Sequence, residues 1–157
     1  MPMATDTLVE NLLRNSLVFL AGLVVGSAVN MGLIMLGSAI VPAPEGVDVT
    51  SMESLRASMH LFEPHHFVFP FLGHALGTLV GAALVARLAI SSQFGLAMAI
   101  GVLFFIGGVT NILQLGGPIW FNAIDLILAY LPMAWLGAKI AKRVRSAPEN
   151  SVSTIAS

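Results

Sequence analysis

Residues 16–41 read SLVFLAGLVVGSAVNMGLIMLGSAIV, a run without a single charged side chain. A bilayer's hydrocarbon core takes roughly 20 apolar residues of helix, so this run is long enough to cross one. Three more long apolar runs lie at 67–89, 94–115 and 118–141, charged only at Arg87, Asp125 and Lys139. The whole chain is 57% hydrophobic and 10% charged, where a soluble globule carries about a quarter charged residues. One small domain has too little interior to hide that excess, so lipid must solvate it. The expectation is an all-α integral membrane protein. Its four transmembrane helices form two hairpins within one domain, 1–144.

The basic residues set the expected orientation. Arg14 precedes the first run, Arg87 closes the second, and Lys139, Lys142, Arg143 and Arg145 close the fourth. The 1–2 connection holds Arg56 alone against Glu45, Asp48, Glu53 and Glu63. By the positive-inside rule both termini lie in the cytoplasm and that connection lies outside, in the plasma membrane (for a bacterium, the inner one). The first run is too long for a signal-peptide core and reads as a retained anchor, its helix started by a capping box at Thr7-Leu-Val-Glu10. The tail at 145–157 is polar and reads as a disordered cytoplasmic segment.

Within the 1–2 connection, Thr50-Ser-Met-Glu53 has the form of a second capping box. Met52, Leu55, Met59 and Phe62 then recur at helical spacing, which predicts a short amphipathic helix over about 51–63, stopped by Pro64. It either lies on the outer membrane surface or packs over the mouth of the bundle. Gly73, Gly77 and Gly81 stand four apart and form a smooth ridge of the kind that drives helix association in lipid. Such a ridge packs within the bundle or between copies, so the expected partners are the bilayer and, through that ridge, copies of the chain or a larger membrane complex. With a net charge of −1 and no basic face, a nucleic-acid partner is excluded. The hairpins also echo each other: Gly26-x3-Asn30 is matched by Gly107-x3-Asn111, and His74 corresponds within one position to Asp125.

Polar side chains inside the spans are expensive and point to function. Asp125 is the one acidic residue within the four runs. It and His74 each lie on the order of 10 Å below the outer interface at the helical rise. Asn111 and Asn122 fall in the same outer half, Asn30 nearer the middle, and His60, Glu63, His65 and His66 above them. This one-sided distribution predicts an outward-facing polar pocket with His74 and Asp125 at its floor. The competing reading is a satisfied network between helices, with Asp125 bonded to His74, Asn111 or Asn30.

Three functional classes follow. The first is transport or binding of an ion, a proton or a small solute by an oligomer, using Asp125, His74, Asn111, Asn30 and Asn122. The second is an accessory or structural subunit of a membrane complex. The third is a metal-dependent membrane enzyme, with His60, Glu63, His65 and His66 as ligands for a divalent metal. Their spacing is not a recognised metal signature, and the sequence requires no cofactor. No nucleotide loop, nucleophile elbow or thiol motif is present, so the balance leans away from an enzyme. Small multidrug transporters and fluoride channels share the length and span count. The former carry a charge in the first span, where this chain has Asn30, and the glycine–arginine signature of the latter is missing, so nothing is carried over.

Overall fold

The structure is a computed structural model describing residues 4–146. Six α-helices appear in chain order: α1 Ala4–Ile40, α2 Met52–Ser58, α3 Val68–Leu88, α4 Gln93–Leu115, α5 Ile119–Leu128 and α6 Leu131–Ser146. The described residues contain no strand. Four stretches are long and apolar enough to span a membrane, within Thr7–Ile40, Pro64–Leu88, Gln93–Leu115 and Ile119–Val144. The all-α membrane fold expected from the sequence is the observed one.

Several boundaries differ. Helix α1 is already helical at Ala4, so Thr7 lies inside it and cannot be its cap. At roughly 1.5 Å per residue its 37 residues run about 55 Å, far beyond a hydrocarbon core of about 30 Å. Helix α6 continues to Ser146, so the expected tail starts later than residue 145, and the rest of it lies outside the described residues. The fourth run is not one helix but two. It breaks at Ala129–Tyr130, and Pro132 falls in the first turn of α6. Proline has no N–H for the Leu128 carbonyl, and its ring collides with that carbonyl in a regular helix.

In the connection, Ser51 caps α2 by accepting from the Ser54 N–H at 3.3 Å. The expected cap, Thr50, is drawn instead to Asp48, whose Oδ1 accepts from the Thr50 N–H at 2.8 Å and from its hydroxyl at 2.7 Å. These bonds, the hydroxyl's first, hold the Asp48 carboxyl below the usual carboxylate range. The predicted amphipathic segment is shorter as an α-helix and ends in 3-10 turns at Met59–Leu61 and Pro64–Phe67. Leu55, Met59 and Phe62 line one cavity together with Ile112 and Leu115 of α4. Of the two placements considered, the segment takes the one over the bundle mouth.

The glycine ridge is used inside the chain. A Cβ on Gly77 would lie 2.7 Å from the Gly26 carbonyl oxygen, and one on Gly81 would lie 2.7 Å from that of Gly22. Two backbones thus meet along α1 and α3, the within-bundle packing of the two that such a ridge allows. Nearby, Asn15 ties α1 to the short α3–α4 turn, donating to Ser91 Oγ at 2.8 Å and accepting from the Ile90 N–H at 3.0 Å.

The two halves of the bundle are built differently. Towards the end that carries the termini, the core is mostly alanine, with Ala82, Ala86, Ala97, Ala134 and Ala138 around Val85 and Ile100. Small side chains let three helices close tightly there. Towards the α2 end the filling is aromatic, with Phe71, Phe104 and Phe105 around Ala75, Ala129 and Tyr130. Large rings leave gaps, and the two cavities lined by His74 open in that half.

Candidate functional site

Asp125 is the one fully buried residue of α5, 2% exposed. Both carboxylate oxygens lie 2.9 Å from His74 Nδ1 on α3. Tyr130, from the break between α5 and α6, donates its hydroxyl to Oδ2 at 2.8 Å and lays its ring against the imidazole, centroids 5.7 Å apart. In a continuous helix residues five apart do not face each other, so the interruption at Ala129–Tyr130 brings this hydroxyl onto Asp125. Gly108 of α4 makes the room, since a Cβ there would overlap the Tyr130 hydroxyl. Beneath the imidazole, Thr78, fully buried, donates to the His74 carbonyl at 2.7 Å.

The electrostatics follow from the donor count. As a carboxylate Asp125 can only accept, so it takes the proton on His74 Nδ1, which lies equally near both oxygens, and the Tyr130 hydroxyl as a second donor. With Nδ1 so engaged, a neutral imidazole keeps the lone pair of Nε2 on the side away from Asp125. Among the described residues nothing hydrogen-bonds that nitrogen, and the His74 side chain keeps 14% of its surface exposed.

Two cavities meet at this ring. One, of about 260 Å³, descends from beneath α2 between largely apolar walls, with His74 and Asp125 at the bottom. The other, of about 330 Å³, lies beside it where α1 and α4 barely touch, and Ser27, Asn30, Asn111, His74 and Tyr130 give it a more polar lining. His74 and Asn111 belong to both walls.

Of the residues singled out from sequence, His74 and Asp125 therefore meet, and Asn111 joins them across the cavity. Asn30 faces the second cavity, yet its Oδ1 is buried against Gly73 with no hydrogen-bond partner among the described residues. Asn122 reaches back with long 3.4 Å bonds to the carbonyls of Gly116 and Gly117. It steadies the α4–α5 turn, where both glycines take the left-handed φ that other residues avoid.

The metal candidates separate into local roles. His60 Nδ1 sits 2.9 Å from the Ala57 carbonyl, the His66 ring accepts from the Glu63 N–H at 3.0 Å, and His65 pairs loosely with the Glu63 carboxylate at 3.5 Å. No group of three or more His, Cys, Asp or Glu side chains among the described residues is placed to hold a metal ion.

Tyr130 and Thr78 were missed from sequence. Tyr130 had a signal: it is the chain's one tyrosine, lying between the lone intramembrane acid and a proline. Thr78 had none, because a threonine in an apolar helix bonds its own backbone by default. Comparison with known proteins adds no relative: no family model, no curated protein and no solved structure matches this chain.

Proposed function

We propose that this small multi-pass membrane protein binds a small solute in the cavity under α2 and exchanges a proton with it, or carries it, at His74. One observation supports this above all. The imidazole is clamped through Nδ1 by Asp125, and the same residue lines two cavities. A staple between helices needs the first half of that arrangement but not the second. Orientation of a histidine by a buried carboxylate is the usual way to ready its far nitrogen as a base. The apolar walls suit a solute with a hydrocarbon body and one polar or basic end.

In the orientation expected from the basic residues, the cavity opens outside the cell. The chain has no cysteine, so a single Glu53→Cys label tests this cleanly. An impermeant maleimide should react with it in intact cells, and protection until lysis would reverse the topology. Assembly of copies belongs to the same proposal. With Gly73, Gly77 and Gly81 taken up by α1, copies would meet through the lipid-facing side of α1 or across the open α1–α4 side.

The decisive experiment is an imposed pH gradient in proteoliposomes. Wild-type vesicles should lose the gradient faster than empty ones, and Asp125→Asn and His74→Gln should both fall back to the empty rate. Correctly inserted Asp125→Asn that conducts like wild type would sink the proton-linked reading. Wild type matching empty vesicles would confine the site to binding, which titration of His74 by nitrogen NMR would then have to show.

A further inference from the structure

The second cavity opens sideways. It lies where α1 and α4 barely touch, and Ser27, Gly107 and Asn111 in its wall are exposed. Leu103, in the same wall and 44% exposed, stands about 15 Å from one end of α4 and about 18 Å from the other at the helical rise. The mouth therefore reaches the middle of the span, where the surroundings are hydrocarbon and not water. Polar groups turned towards hydrocarbon are costly unless something bonds them. Among the described residues Asn111 has no hydrogen-bond partner, and His74, its Nδ1 engaged by Asp125, keeps only Nε2 for a ligand. A polar recess with a hydrocarbon mouth fits an occupant with a polar head and an alkyl tail.

We infer that this recess takes the head of a single-chain alkyl amine, which enters from the lipid between α1 and α4. No lysine or arginine lines either of the cavities that share His74, so nothing there holds an anionic head. An ammonium brings N–H donors to the Asn111 carboxamide oxygen and to the imidazole, and its charge is drawn to the Asp125 carboxylate behind that ring. Ile34, His74, Gly108 and Asn111 line both cavities, so a head held in the recess is already beside the cavity under α2. The inference rests on the reading of His74 as the group that meets the solute, and adds the solute's class and its side of entry.

The test is calorimetric titration of the full chain in phosphatidylcholine nanodiscs, corrected for uptake by empty discs. Decylamine should bind saturably, and decanol roughly tenfold more weakly, the difference between a charged and a neutral hydrogen-bond donor. Decanoate, which carries the wrong charge, and propylamine, which lacks the tail, should not saturate. Gly107→Leu should abolish the decylamine signal: a Cβ there meets nothing within 4 Å, so the added side chain fits the fold and fills the recess. Gly95→Leu makes the same change nearer the other end of α4, equally unopposed and outside both cavities, and should bind like wild type. Equal binding of decanol or decanoate, undiminished binding in Gly107→Leu, or equal loss in Gly95→Leu would each overturn the proposal. So would efficient disulfide capture of Gly107→Cys by itself in native membranes, which would make a second copy the cover of this mouth. Saturable decylamine binding without proton flux in the vesicles would support this inference and remove the transport reading; flux without such binding would remove this inference alone.

Discussion

The second and fourth membrane-crossing segments each carry a proline, and they have opposite outcomes. Pro70 and Pro132 both lie in the first turn of a helix, α3 and α6. In α3 that turn is the end of the segment nearest α2, so Pro70 interrupts nothing. In the fourth segment the first turn of α6 lies mid-span, and α5 is left as a separate piece of about 15 Å. The packing follows suit. Helix α3 buries eight residues against α1, α4 and α6, whereas α5 buries Asp125 alone. Beyond it, α5 is held by rings at its N-terminal end, Phe121 against Phe67 at 4.7 Å and Trp120 against Phe67 at 5.7 Å. A rigid helix thus presents the histidine, and a lightly held half-helix presents the acid. A site that must bind and release is served by that inequality, because one partner can shift while the other keeps its place.

The largest test of this difference is Asp125→Ala. It leaves the His74 N–H and the Tyr130 hydroxyl without their acceptor in a place water barely reaches, a loss of about 3 kcal/mol or more. Because the carboxylate is the main internal anchor of α5, the damage should be local. Hydrogen exchange should quicken over 119–128 and leave α3 protected; uniform quickening would mean that α5 is no looser than α3.

Next comes Gly77→Ile, aimed at the rigid side. Its Cβ would meet the Gly26 carbonyl and the Asn30 Cβ, so α1 must move off α3, at about 3 kcal/mol, the upper range for overpacking. The control is Gly32→Ile on α1, where a Cβ meets nothing within 4 Å. The two should differ sharply in resistance to denaturing detergent. Equal resistance would show that the backbone contact contributes nothing.

How far the sequence reached follows from the same contrast. The four spans, the one-sided polar set and the meeting of His74 with Asp125 were all legible, since each rests on composition or helical rise along one chain. The destination of the glycine ridge was not. Gly73, Gly77 and Gly81 announce a close approach, but a glycine carries no mark of which backbone approaches it. The echo between Gly26-x3-Asn30 and Gly107-x3-Asn111 misled for a related reason. Gly26 is packed against Gly77, while Gly107 meets nothing and its neighbour Gly108 makes the contact. The break at Ala129–Tyr130 lay half in view. Pro132 signalled an unpaired carbonyl, but only the bent path shows that the bend delivers Tyr130 to Asp125.

Tyr130→Phe tests that delivery at a smaller scale. It deletes one hydroxyl bonded to a carboxylate and keeps the ring stacked on His74, costing about 1 kcal/mol. Asp125 would keep His74 as its donor, so α5 should stay protected against exchange. Loss of protection over 119–128 as great as in Asp125→Ala would mean that the tyrosine, not the histidine, anchors the half-helix.

The finest test exchanges the prolines themselves. Pro70→Ala adds an N–H where the first turn of α3 follows a 3-10 turn, and removes a ring that stiffens the unfolded chain; the net loss should be about 0.4–1 kcal/mol with no change at the site. Pro132→Ala should give a stability change just as small by a different route. The restored N–H can reach the Leu128 carbonyl, which favours healing α5 and α6 into one helix. Healing draws the Tyr130 hydroxyl away from Asp125, so the gained backbone bond is offset by the lost side-chain bond. The two variants would then be nearly indistinguishable by melting temperature, yet only Pro132→Ala should change the His74 ring signals in an NMR spectrum. If Pro70→Ala perturbs those signals equally, the position of the proline along the span is not what separates the two segments, and the asymmetry must lie in the helices that flank them.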